Sequence, residues 1–107
     1  MYLCRVLAFA GSLLLLTMTS GYADGDAAVG EELAREWCTR CHNVEPGGPF
    51  KQHPPSFASI AVYRSADQIY GRIMFPSFHS NMPKIGYMLT PNNVDDIIAY
   101  IISLEKK

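Results

Sequence analysis

The sequence lacks an excess of charge of either sign, because its 107 residues carry nine lysines and arginines against ten aspartates and glutamates. A protein that grips nucleic acid through phosphate contacts needs a clear basic excess, so we expect no nucleic acid partner. Internal repeats and low-complexity runs are also missing, and the length suits a single domain. Hydrophobic residues make up 49% of the chain, which is too many for a disordered protein.

Long hydrophobic runs are missing too, and this affects how the amino terminus is interpreted. The apolar stretch at residues 6–16 is shorter than the roughly 20 residues that a bilayer-spanning helix needs. Arg5 precedes the stretch, and the small residues Gly21 and Ala23 follow it two positions apart. This order is typical of a secretory signal peptide, predicted over residues 1–23, with an uncleaved membrane anchor as the alternative.

Cysteine is scarce, and cleavage after Ala23 makes it scarcer. Removal of 23 of the 107 residues leaves a mature domain of 84 residues, 24–107, and takes away Cys4, the odd one of three cysteines. We expect this domain to be exported to the periplasm. A chain of this size commonly gains stability from a disulfide, a metal or a cofactor.

The two remaining cysteines lie in the motif Cys38-Thr39-Arg40-Cys41-His42. The C-x-x-C-H pattern is typical of covalent haem attachment: each thiol adds to one vinyl group, and the adjacent imidazole reaches the iron. Two alternatives are a thioredoxin-like redox pair and a plain disulfide. The first needs a βαβ pattern that the sequence does not show, and the second leaves His42 without a role.

The chain resembles the class I cytochromes c, in particular the small exported bacterial monohaem proteins, over residues 26–104. The resemblance implies an all-α cytochrome c fold over residues 24–107, with about four short helices around one covalently attached haem and the first and last helices crossing. It also implies that haem completes the small core, so that the haem-free chain is largely unfolded. The residues that carry the resemblance are Cys38-Thr39-Arg40-Cys41-His42, Pro55-Ser56-Phe57, Met82-Pro83, Leu89-Thr90 and Ala99-Tyr100-Ile101.

The second axial ligand of the iron is predicted to be Met82, with His42 as the first. Met82 lies in a polar loop before Pro83, where an exposed thioether is otherwise hard to explain, and similar cytochromes place their methionine before a proline. The sequence leaves four other candidates. His79 is the main competitor, His53 is expected at the surface, and Met74 and Met88 are expected to pack in the core.

The resemblance assigns two further contacts. A proline carbonyl downstream of the motif accepts the free N–H of the axial histidine, which points to Pro55, although the Pro54-Pro55 doublet leaves the register uncertain by one residue. A glycine in the first helix lets it cross an aromatic residue of the last helix, and Gly30 and Tyr100 match those positions.

Hydrophobic spacing and capping residues predict four helices. The first starts near Asp26 and is predicted to bury a stripe formed by Val29, Leu33 and Trp37. A short helix is expected at residues 56–63, and the S-x-x-Q box from Ser65 starts the third. Thr90 is predicted to cap the last helix.

These features favour a one-electron carrier that is not an enzyme and has no small-molecule substrate. We expect redox proteins as its partners, with the chain either monomeric or part of a redox complex. One alternative is a haem enzyme or small-gas sensor, such as a peroxidase, with a displaceable sixth ligand. Another is a tightly bound cytochrome subunit of a dehydrogenase or oxidase.

Overall fold

The fold is all-α, as predicted. The computed structural model describes residues 25–78 and 80–105, and within these ranges it contains four α-helices, one 3₁₀ helix and no β-strand. The predicted signal peptide at residues 1–23, and His79, lie outside the described residues. The helices are α1 (Ala27–Trp37), α2 (Phe57–Tyr63), α3 (Ala66–Met74), the 3₁₀ helix (Ile85–Met88) and α4 (Pro91–Ser103).

Side-chain caps mark the start of each described α-helix, including Asp26 at α1. Ser56 accepts a hydrogen bond from the Ser59 N–H at the start of α2. Ser65 with Gln68, and Thr90 with Asn93, form complete capping boxes at the starts of α3 and α4. These bonds satisfy backbone N–H groups that the first turn of a helix leaves without a partner. The predicted starts of α2, α3 and α4 are therefore confirmed.

α1 and α4 form the most extensive helix–helix contact of the described fold. At their closest approach Gly30 of α1 faces the backbone carbonyl of Asp96. A Cβ atom at Gly30 would overlap that oxygen and lie 2.9 Å from the Tyr100 Cβ. The Asp26 N–H donates a 2.8 Å hydrogen bond to the Asp96 carboxylate, which ties the start of α1 to α4. The expected approach of Gly30 to Tyr100 is thus present.

The predicted buried stripe of α1 is wrong by about one position. Val29 is 39% exposed, whereas Gly30, Ala34 and Cys38 are buried at intervals of four residues. Small residues occupy the buried face of α1 because only they let the backbones of α1 and α4 come so close. Leu33 and Trp37 are partly buried and pack at the margin of the core.

The core is built on α4, whose buried apolar residues follow helical spacing. Val94, Ile97, Ile98 and Ile101 are each at most 3% exposed, and α2 and α3 both pack against this helix. One packing prediction fails: Met88 is 65% exposed at the end of the 3₁₀ helix. Among the described residues, no helix combines the length and apolar character needed to cross a membrane.

Candidate haem-binding site

The C-x-x-C-H motif forms a tight turn directly after α1. The N–H groups of Cys41 and His42 donate to the Cys38 carbonyl at 3.2 and 2.9 Å. The Thr39 hydroxyl donates to the Arg35 carbonyl at 2.7 Å, which anchors the turn to the last residues of the helix. The backbone therefore gathers both thiols and the imidazole within one short turn.

The two cysteines are free thiols in different surroundings. Cys38 is buried and Cys41 is exposed, and no disulfide joins them. Burial raises the pKa of the Cys38 thiol to about 11, because the thiolate would lose its hydration there. The structure gives no support to a plain disulfide, and two unpaired thiols are what a double thioether attachment requires.

His42 is oriented by a hydrogen bond to the chain. Its Nδ1 lies 2.5 Å from the carbonyl oxygen of Pro55, across a separation of thirteen residues. A carbonyl only accepts hydrogen bonds, so Nδ1 is the donor in this contact and Nε2 is the ring nitrogen left to bind a metal. Of the two adjacent prolines, Pro55 is the one whose carbonyl makes this contact.

Phe57 and Asn43 lie beside the His42–Pro55 hydrogen bond, and no contact was predicted for either residue from the sequence. The Phe57 ring lies with its centroid 5.6 Å from that of the His42 ring. The Phe57 N–H donates to the Asn43 carbonyl at 2.9 Å. Phe57 belongs to the segment Pro55-Ser56-Phe57, and its position two residues after Pro55 is the sequence signal for its contact with His42.

Tyr100 of α4 also contacts this segment. Its hydroxyl donates to the Val44 carbonyl at 2.6 Å, and its ring centroid is 6.3 Å from that of Phe57. Burial raises the pKa of the Tyr100 phenol above its ordinary value. His42, Asn43 and Val44 are thus each held by one hydrogen bond to another part of the chain.

An exposed ion-pair cluster links α1 to the loop after the motif. The Arg35 guanidinium bonds to the Glu31 carboxylate at 2.7 Å, and it pairs with both carboxylate oxygens of Glu45. The hydrogen bond from Arg35 lowers the pKa of Glu45. The sequence offered only the i, i+4 spacing of Glu31 and Arg35 as a signal for this cluster.

Met82 lies on a separate loop and is partly buried against the core. Its N–H donates to the Ser80 hydroxyl at 3.1 Å, which ties the Met82 backbone to the preceding residues of the loop. Of the competing ligands, Met74 is partly buried against the core, as expected. His53 is exposed, also as expected.

The donor set suits a c-type haem. Paired free thiols, an imidazole whose Nδ1 is bonded to a carbonyl and a partly buried thioether are the groups that covalent attachment and axial ligation of haem iron call for. The hydrogen bond on Nδ1 is the usual partner of a metal-binding histidine.

Comparisons with known proteins identify the family. The family model described as cytochrome c oxidase, cbb3-type, subunit III, matches residues 25–101. Cytochrome c-552 of Bradyrhizobium diazoefficiens is 35% identical over 105 residues, covering 95% of this chain and 91% of that protein. Cytochrome c2 of Pararhodospirillum photometricum is 58% identical over 33 residues, which are 31% of this chain and 29% of that protein. No solved structure matches the chain.

An all-α domain with a C-x-x-C-H turn and these relatives is a class I monohaem cytochrome c. The chain belongs to the cytochrome c family. Its cofactor is a covalently bound c-type haem, and its general role is that of a haem-based electron carrier that passes electrons to redox partners.

Proposed function

We propose that the protein is a periplasmic one-electron carrier in which Cys38 and Cys41 hold the haem through thioether bonds and His42 and Met82 bind its iron. The haem supplies the electron by cycling between Fe(III) and Fe(II). The chain's own part is to bind, orient and shield that group. The observation that carries the proposal is the hydrogen bond between His42 Nδ1 and the Pro55 carbonyl.

That bond supports His42 as a ligand for a specific reason. A histidine with Nδ1 already donating to a carbonyl presents Nε2 as its free basic nitrogen, and the added basicity strengthens it as a ligand. The tight turn keeps the imidazole next to both thiols.

Burial supports Met82 as the second ligand. Met82 is partly buried against the core, although it sits in a loop whose flanking residues Asn81 and Pro83 are exposed. Met88, six positions later, is 65% exposed. A thioether turned inward from a polar loop fits a soft ligand, and occupation of both axial positions leaves no site for a substrate, as expected of a carrier rather than an enzyme.

Absorption spectroscopy of two matched variants tests the ligand assignment. In Met82→Ala we expect loss of the methionine–iron charge-transfer band of the ferric protein, and rapid carbon monoxide binding by the ferrous protein. Met88→Ala removes the same side chain from the exposed end of the neighbouring 3₁₀ helix, so it should keep the wild-type spectrum. A wild-type spectrum in Met82→Ala would refute the assignment and leave His79 as the next candidate.

The family model's description names an oxidase subunit, which supports a second candidate, a cytochrome bound permanently within a redox complex. The chemistry is the same, and the two differ in whether the protein diffuses. Osmotic-shock release followed by size-exclusion chromatography separates them. A freely released monomer supports the diffusing periplasmic carrier, whereas retention with membranes or elution with other haem proteins supports the subunit.

A further inference from the structure

Two buried serines occupy the first turn of α2. Ser56 is 0% exposed and Ser59 is 6% exposed, and they are the buried polar side chains of the residues that the structure describes. Their hydroxyl oxygens lie 2.9 Å apart, and the Ser59 N–H donates to Ser56 Oγ at 3.2 Å. Burial of a hydroxyl costs free energy unless it is hydrogen-bonded, and here each hydroxyl is the other's partner.

Capping a helix does not by itself require this burial. Ser65 and Thr90 cap α3 and α4 with the same type of bond, and both are exposed. The α2 cap therefore differs in its surroundings rather than in its chemistry. A buried polar pair joined by its own hydrogen bonds fixes local geometry more tightly than an exposed cap, because rearrangement would leave buried polar atoms without partners.

The residues on either side of Ser56 both contact the haem-motif segment. Pro55 accepts the hydrogen bond from His42 Nδ1, and the Phe57 N–H donates to the Asn43 carbonyl while its ring lies against His42. Ser56 thus sits at the centre of a three-residue segment whose two ends bind two consecutive residues. Any shift of the α2 cap would move the Pro55 carbonyl relative to the imidazole.

We propose that Ser56, supported by Ser59, is a positioning residue that holds the Pro55 carbonyl on His42 and thereby tunes the reduction potential of the haem. This inference rests on the proposed function, since it takes His42 as an axial ligand. Ser56 acts through Pro55 and does not itself touch the imidazole. A firm hydrogen bond to Nδ1 makes the imidazole more basic and favours the more positive ferric iron, so a looser bond raises the potential.

The choice of serine fits this role. Aspartate caps helices as well as serine does, but a buried carboxylate would be costly and would place a negative charge near the iron. Alanine fits the space but cannot accept the Ser59 N–H. Serine carries no charge, and its hydroxyl can accept the Ser59 N–H.

The test compares holo-protein variants by reduction potential and by NMR exchange of the His42 Nδ1 proton. In Ser56→Ala we expect about tenfold faster exchange and a reduction equilibrium shifted about threefold towards ferrous iron, which is roughly 30 mV for a one-electron couple. Ser56→Thr keeps the hydroxyl and should restore both values. Ser65→Ala removes an equivalent but exposed cap from α3 and should change neither.

If both readouts in Ser56→Ala stay at the wild-type values, or move equally in Ser65→Ala, the inference is overturned. Should Ser56→Ala fail to fold, Ser59→Ala takes its place, because it keeps the Ser56 cap and removes only the supporting hydroxyl. A smaller shift in the same direction supports the inference, and no shift overturns it. The NMR spectrum of the wild-type ferric protein distinguishes failure of this inference from failure of the proposed function. If the spectrum shows no hyperfine-shifted His42 ring signals, the proposed ligation itself fails.

Discussion

Two regions of the molecule differ in how they cover their apolar side chains. In the helix pair α1–α4, the chain buries its own: Ala34 and Val94 are 0% exposed and Ile97 is 1% exposed. In the ligand loop, residues 75–90, large apolar side chains lie on the surface. Phe75, Phe78, Tyr87 and Met88 are all at least 65% exposed in that loop.

The difference teaches which part of the fold depends on the cofactor. The helix pair closes on itself through complementary shapes, with Gly30 against the backbone of α4. The ligand loop carries Met82 and offers apolar surface without enough side chains to cover it. A haem macrocycle is largely apolar, so the family's cofactor suits this loop as a packing partner as well as a redox group.

Prevention of haem attachment is the strongest test of this difference between the helix pair and the ligand loop. We expect the double variant Cys38→Ala/Cys41→Ala to be largely unfolded, because a self-closed helix pair is too small a core for a domain of this size. Circular dichroism should show reduced helix and no cooperative thermal transition. A compact variant with a cooperative melt would show that the helix pair folds without the cofactor.

Thiol reactivity gives a second reading of the same expectation. In wild-type chain produced without haem attachment, an unfolded state lets a small alkylating agent modify both cysteines at equal rates near pH 8. A folded haem-free chain would instead protect Cys38, whose pKa is raised to about 11 by burial. Because that folded pKa is the higher one, its contribution to folding would be lost as pH rises from about 9 to about 11.

The helix pair itself is tested by adding one methyl group. Gly30→Ala places a Cβ against the Asp96 carbonyl, which belongs to backbone and cannot swing away. We expect the holo-protein to lose about 1–3 kcal/mol of unfolding free energy, measured by denaturant titration. Gly71→Ala is the matched control in α3, since its Cβ would meet no atom within 4 Å.

The control should change stability in the opposite direction. Alanine is the better helix former, so Gly71→Ala is expected to gain up to about 1 kcal/mol. Equal losses in both variants would mean that the close contact between α1 and α4 contributes nothing specific. The pair thus separates helix propensity from the packing that defines this region.

Much of the helix pair could be predicted from the sequence, since capping boxes and helical spacing are local signals. The Thr90 cap of α4 was placed correctly. The buried face of α1 was not, because hydrophobicity favoured Val29 whereas the close approach selected Gly30. Only the three-dimensional contact with α4 decides between them.

The candidate site also has a part that the sequence predicts and a part that only the fold shows. The C-x-x-C-H motif is contiguous, so its residues are legible in the sequence. The bonds that hold His42 and Val44 join residues thirteen and fifty-six positions apart; the family resemblance predicts the first, and no local pattern predicts the second. Ser56 belongs to the motif Pro55-Ser56-Phe57, but its burial, from which we infer a distinct role, is a property of the fold alone.

Tyr100 connects the helix pair to the segment that follows the haem motif, so its hydroxyl measures how strongly these two parts are coupled. Tyr100→Phe leaves the buried Val44 carbonyl without its donor, and we expect a loss of about 1–2 kcal/mol in denaturant titration. Tyr87→Phe removes the same atom from a side chain that is 78% exposed and should have no measurable effect. Equal stabilities of the two variants would mean that the bond couples nothing.

The same variant changes the response to alkaline pH. Because burial raises the folded pKa of Tyr100, its stabilising contribution is complete below the ordinary tyrosine pKa of about 10 and is lost as pH rises beyond it. Tyr100→Phe lacks that group, so its stability should fall less steeply above pH 10 than that of the wild type. Parallel curves would contradict this origin of the pH dependence.

The smallest effect is expected at the exposed tie between α1 and the loop after the motif. Arg35→Gln breaks the ion pairs to Glu31 and Glu45, but these groups are solvated and the pairs are screened by salt. We expect a slightly lower thermal midpoint at low ionic strength and no difference from the wild type in 1 M salt. Arg72→Gln, an exposed change in α3, provides the comparison. A large loss that persists in salt would mean that this surface cluster, rather than the buried Tyr100 bond, joins the helix pair to the haem motif.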